Sequence, residues 1–168
     1  MEINLYATLT AALVPLTLGI IWYHPRVFGK IWMKGAGLDP SSVQPRNWLA
    51  LFAGLFLLGF ILSFLMNIIA FHDEFIRGAL YKLPDEAIQP GTEAGNWLAY
   101  YTTHLSDTNR TFGHGAYHAA FIVGLYTVLP VLAYIGLMER RSFKYVAVHV
   151  GFWVISVALM GGVVAGWR

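Results

Sequence analysis

The run Asn47–Phe71, NWLALFAGLFLLGFILSFLMNIIAF, carries no charged residue over a length that suffices to cross a lipid bilayer. A hydrocarbon core of about 30 Å needs roughly 20 apolar residues, because a helix rises about 1.5 Å per residue. Three further runs share this property: Ile3–Tyr23, His114–Leu137 and Tyr145–Trp167. The fold class that follows is all-α: a polytopic membrane protein with four transmembrane helices in a bundle. An interfacial helix is expected after the first span and a structured outer loop between the second and third, at 72–113. The spans use most of the 168 residues, so residues 1–168 read as a single transmembrane domain.

Composition agrees. The chain is 57 % hydrophobic and 12 % charged, where a soluble domain carries about 25 % charged residues. Its mean hydropathy is +0.57. It has no cysteine, which excludes disulfides, thiolate metal ligands and cysteine nucleophiles. A net charge of +2 gives no case for a nucleic-acid partner. The first span lacks the positive leader of a signal peptide, since it starts Met1-Glu2-Ile3-Asn4 and its bases follow the apolar run. It reads as a retained helix.

Charge sets the expected orientation. Seven of the eleven basic residues fall in two loops on one face: Arg26, Lys30, Lys34 and Arg46 in 24–46, and Arg140, Arg141 and Lys144 around 138–144. Seven of the nine acids fall on the other face: Glu2, Asp73, Glu74, Asp85, Glu86, Glu93 and Asp107. Positive loops stay in the cytoplasm. The basic loops are therefore expected inside, with both termini and the loop 72–113 outside.

Polar and small residues mark helix faces. In the second span Gly59, Ser63 and Asn67 recur at four-residue spacing, so that face should meet other helices. The third span presents Ala116, Ala120 and Gly124, and the fourth Ala158, Gly162 and Gly166. Such stripes allow close helix approach, and these two helices are expected to pack together. Pro130 should kink the third. Within 72–113, His72–Lys82 reads as a continuation of the second helix, and Glu93–His104 as a helix on the outer surface. No internal repeat supports an inverted-repeat transporter.

The segment Gly19–Trp32, GIIWYHPRVFGKIW, resembles the element GxxWYxPxxFGKxW of a family of small four-helix membrane proteins from bacteria. That family is catalogued as domain of unknown function seventeen-sixty-one. Met138-Glu139-Arg140-Arg141-Ser142, Gly151-Phe152-Trp153 and Met160–Trp167 resemble its C-terminal half. The resemblance covers the first 35 and roughly the last 55 residues. It implies a four-span topology and the inner membrane of a bacterium, and no activity. The segment 72–113 is longer than the resemblance implies, so no role is carried over to it.

Chemistry is suggested by the histidines. His114 and His118 are four apart and share a helix face, the spacing of a metal pair. His72, Asp73, His104 and Asp107 map to the same membrane face and offer further nitrogen and oxygen ligands, a set suited to a divalent metal such as zinc. The HxxxH spacing lacks the glutamate of a zinc protease. The plainer reading is that these histidines hydrogen-bond at the interface. His149 lies inside the fourth span and His24 ends the first, so with Asn67 they suggest a proton or polar relay. The plainer reading is a packing hydrogen bond. Asn67, Ser63, Tyr126 and Thr127 are too few to line a pore. Trp22, Tyr23, Arg26, Lys30, Trp32 and Lys34 form the densest constellation, suited to a lipid headgroup, a partner or simple interfacial anchoring. No nucleophile–base pair, phosphate loop or dinucleotide fingerprint is present.

Two functional expectations follow. The first is an accessory subunit or homo-oligomer with a membrane-protein partner, docking through the acidic loop. The second is a small transporter or metal-handling protein that uses the outer histidines.

Overall fold

The computed structural model describes residues 3–39, 41 and 47–167, apart from the side chains of Asp73, Glu74 and Arg77. Arg46 and the expected ligand atoms of Asp73 lie outside this description. The described chain is all helix and turn. Four helices are long and apolar enough to cross a membrane: α1 (Leu5–Trp22), α3 (Trp48–Ala70), the continuous helix Phe112–Met138, and α8 (Phe143–Gly166). They make the four-span membrane bundle that charge-free length predicts. The short helix α2 (Gly29–Ala36) follows the first span, and α4 (Asp73–Leu80) and α5 (Glu93–Tyr100) lie in the long connection.

Each span begins on a side-chain cap. Asn4, Asn47, Thr111 and Ser142 accept from the backbone N–H of Ala7, Ala50, His114 and Tyr145. Each cap satisfies one of the donors that a helix start leaves without a partner, and is worth about 1 kcal/mol.

Helix α8 is the hub. It packs against α1, α2, α3 and the whole of Phe112–Met138, and 44 % of its apolar window is buried, against 17–22 % in the other spans. The core around it holds Met66, Ala119, Val157, Met160 and Val164. Small residues create the closest approach. A Cβ on Gly161 would lie 2.5 Å from both the Ala119 Cβ and the Gly115 carbonyl oxygen, and one on Gly115 would strike the Gly161 carbonyl and Ala165. The seam therefore runs through Gly115, Ala119, Gly161 and Ala165. That is one residue off the expected stripe, and Ala116, Ala120 and Ala158 are half-buried beside it. Gly124 packs on Val154, and Gly162 and Gly166 pack on Phe112.

Helices α1 and α3 meet through the predicted polar face. Gly59 abuts the Ala12 carbonyl, and the buried Asn67 amide donates to Thr8 Oγ1 at 3.2 Å and to the Ser63 carbonyl at 3.0 Å. Asn67 thus ties two helices together. Tyr126 and Thr127 are exposed on a different helix, and Thr127 Oγ1 bonds back to the Ile122 carbonyl.

Phe112–Met138 is not a uniform α-helix. It comprises α6 (Phe112–His118), a π-helical stretch (Ala119–Val128) and α7 (Leu129–Met138). Pro130 stands at the start of α7 and offers no N–H. Just ahead of it the Leu129 N–H reaches back five residues to Gly124. The expected disturbance at Pro130 takes the form of a wider helical register upstream of it.

The second span does not continue past the membrane. Phe71 is extended and buried, and it turns the chain before α4 begins at Asp73. The Arg110 guanidinium lies 4.9 Å over the Phe71 ring and covers the turn. Tight turns at Asp85–Ile88 and Asp107–Asn109 and a π turn at Tyr101–Leu105 order the rest of the connection. A buried Tyr101 and the Thr92 cap on α5 hold it.

A three-histidine cluster as candidate metal centre

The turn at Phe71 has a consequence for chemistry. It sets His72 beside the first two turns of α6, where Thr111 fixes the helix start and so the direction of His114 and His118. The ring centroids of His72 lie 5.1 Å from His114 and 5.0 Å from His118, and those of His114 and His118 lie 4.2 Å apart. One nitrogen from each of the three rings lies within 4.8 Å of the others. The cluster sits directly on the hydrophobic core, next to Ala70, Phe71 and Ala119.

Its hydrogen bonding leaves lone pairs available. His118 Nδ1 is 3.3 Å from the His114 carbonyl, which can only accept, so the proton is on Nδ1 and Nε2 is free to bind. His114 Nε2 is buried and has no hydrogen-bond partner. A buried polar atom without a partner costs about 1–3 kcal/mol. A tetrahedral ion about 2.1 Å from each nitrogen would hold them about 3.4 Å apart, so modest ring rotations would close the set. Imidazole ligands suit zinc, copper and nickel, and three of them leave a fourth position open.

Of the other expected ligands, the described His104 and Asp107 are not part of this cluster. His104 is exposed, stacked on Tyr100 at 4.5 Å, with Nδ1 bonded to Thr103 Oγ1 at 2.6 Å. Asp107 faces Arg110 at 3.8 Å. Sequence spacing exposes the His114–His118 pair, whereas the contribution of His72 depends on the turn at Phe71.

At the opposite end of the bundle, His149 and His24 do not meet. The Tyr23 hydroxyl bonds His149 Nδ1 at 2.9 Å, and the exposed His24 accepts from the Arg26 N–H through Nδ1 at 3.2 Å. His149 Nε2 is buried without a partner, and Tyr145 stands edge-on to the ring at 4.5 Å. Asn67 takes no part in this pairing, so the three relay candidates are divided between two places. The roles of Tyr23 and Tyr145 here have no signal in sequence spacing, because 126 residues separate Tyr23 from His149.

The interfacial constellation divides by face. Trp22, Tyr23 and Trp32 turn inward: Trp22 Nε1 donates to the Val148 carbonyl at 3.1 Å, and Tyr23 packs on Trp32 and Phe152 at 5.3 and 5.1 Å. Arg26, Lys30 and Lys34 are exposed. Apolar stems with charged heads outward suit a helix at the membrane surface.

No curated protein and no solved structure matches the chain. One family does match, over residues 6–165, so the match includes the long connection that the motif resemblance left out. The chain belongs to the protein family of unknown function DUF1761.

Proposed function

We propose that this multi-pass membrane protein handles a divalent transition-metal ion, zinc foremost, on His72, His114 and His118. The observation that carries the reading is the convergence of three imidazole nitrogens within 4.8 Å, from two separate segments. The unpartnered buried Nε2 of His114 supports it, since an ion would supply the missing contact. Three ligands with an open fourth position favour binding and release over a closed structural site. The distribution of basic residues supports the cytoplasm for the end that carries α2 and the turn before α8, with the metal end outside.

The test is metal binding by the purified protein and by H114A/H118A and H72A. One zinc per protomer is expected in the parent, with binding at least a hundredfold weaker in the double variant, since even changes behind the ligands cost 10–100-fold. Binding should also weaken in acid, because only neutral imidazole ligates and protonation removes its lone pair. Undiminished binding in H114A/H118A would overturn the proposal.

The accessory-subunit reading places its docking surface on 72–113, where acidic residues and ordered short helices support a binding face. Native mass spectrometry of gently released protein tests it. A second polypeptide of fixed stoichiometry would support it, and a protomer without one would count against it.

A further inference from the structure

A different feature lies at the other end of the bundle. Where α2 meets the turn between α7 and α8 there is a cavity of about 490 Å³. Lys34, Arg140, Arg141 and Lys144 line it, with Glu139 as its one acid. Glu139 is occupied, since Arg141 Nε meets its carboxylate at 3.1 Å. Arg141 also donates from Nη1 to the Gly35 carbonyl at 3.0 Å, which pins α2 against the turn and forms the cavity wall. Lys34, Arg140 and Lys144 make no ion pair among the described residues. Four bases against one acid leave three positive charges around the cavity.

The backbone at Arg140 is informative. Helix α7 ends with the Arg141 N–H on the Gly136 carbonyl and the Arg140 N–H on the Leu137 carbonyl, the paired bonds of a Schellman ending. That ending puts Arg140 in the left-handed region at φ 54°, and no other described non-glycine residue has a positive φ. Glycine is favoured at such a position, and α2 uses Gly37 at φ 72° for the same purpose. The strained placement of an arginine here keeps a cation at the cavity.

We infer that the cavity holds the phosphate of an anionic phospholipid. The ligand class follows from three uncompensated cations and the free N–H donors of two guanidiniums, a set that recognises phosphate oxygens. The lipid source follows from position. The cavity is walled by the surface helix α2, which carries Trp32 and follows Trp22 and Tyr23 at the end of α1, aromatic residues of the kind that sit at headgroup depth. Ile31, 39 % exposed, adds an apolar wall that a free anion would not use.

The experiment compares binding of short-chain phosphatidylglycerol, short-chain phosphatidylcholine and inorganic phosphate to the full-length protein. The parent, R140G and R140G/K144Q are used. Arg140→Gly relieves the backbone, so a folded variant is assured by the same geometry that makes the site unusual. Phosphatidylglycerol alone should bind, about fivefold more weakly for each charge removed, while the thermal midpoint of R140G is unchanged or higher. Equal phosphatidylglycerol affinity in all three proteins overturns the site. Inorganic phosphate binding as well as phosphatidylglycerol overturns the lipid source.

Discussion

Gly161 shows how much of this bundle rests on single missing methyl groups. Its Cα faces the Gly115 backbone and the Ala119 methyl, and any side chain there must drive α6 from α8. Gly161→Val is expected to cost about 1–3 kcal/mol, as overpacking of a filled core does. Thermal unfolding in detergent would measure it, and Ala116→Val, at a half-buried position beside the seam, should cost less. Equal losses would mean that the helices meet elsewhere. The small-residue period was visible in the sequence, but its phase was not. Both helices carry neighbouring small residues, Gly115-Ala116 and Gly161-Gly162, and spacing alone cannot tell which member of each pair faces the partner.

Among the elements, α2 depends most on a contact from far along the chain. Its amphipathic pattern marks it as a surface helix, but its anchorage comes from Arg141 on the Gly35 carbonyl and from Gly35 against the Tyr145 ring. Arg141→Gln is expected to raise amide hydrogen exchange across 29–36 on the order of tenfold, in line with loss of one charge-assisted hydrogen bond. Exchange in α8 should stay as it was. Unchanged exchange in α2 would show that aromatic packing of Tyr23 and Trp32 holds the helix without the arginine. The connection between α3 and α6 was legible as an ordered segment, because Pro84, Pro90 and Gly91 punctuate it. The break at Phe71 was not legible. His72–Lys82 has no local signal that stops a helix before Pro84. The turn is made by burying Phe71 and covering it with Arg110.

For the molecule as a whole, the proposed orientation makes a clean prediction because the chain has no cysteine. A single cysteine at Thr92 should react with an impermeant maleimide added outside intact cells, and one at Ser41 should react only after lysis. The reverse pattern would put the histidine cluster in the cytoplasm and the basic cavity outside, where the leaflet carries less anionic lipid. The two ends of the bundle differ in character: three imidazoles over the core at one, and a cavity lined by uncompensated cations at the other.

Membrane residence and four spans could be read from residue order, because the cost of a charge in hydrocarbon depends on composition and length alone. The His114–His118 pair could be read too, since helical geometry fixes residues four apart on one face. Residues distant in the chain could not be assigned in this way. His72 joins that pair, Tyr23 takes the place of His24 beside His149, and Lys34 lines one cavity with Arg140. Those neighbours are set by how helices cross α8 and where Phe71 turns, and both depend on packing between segments that carry no mutual signal in sequence.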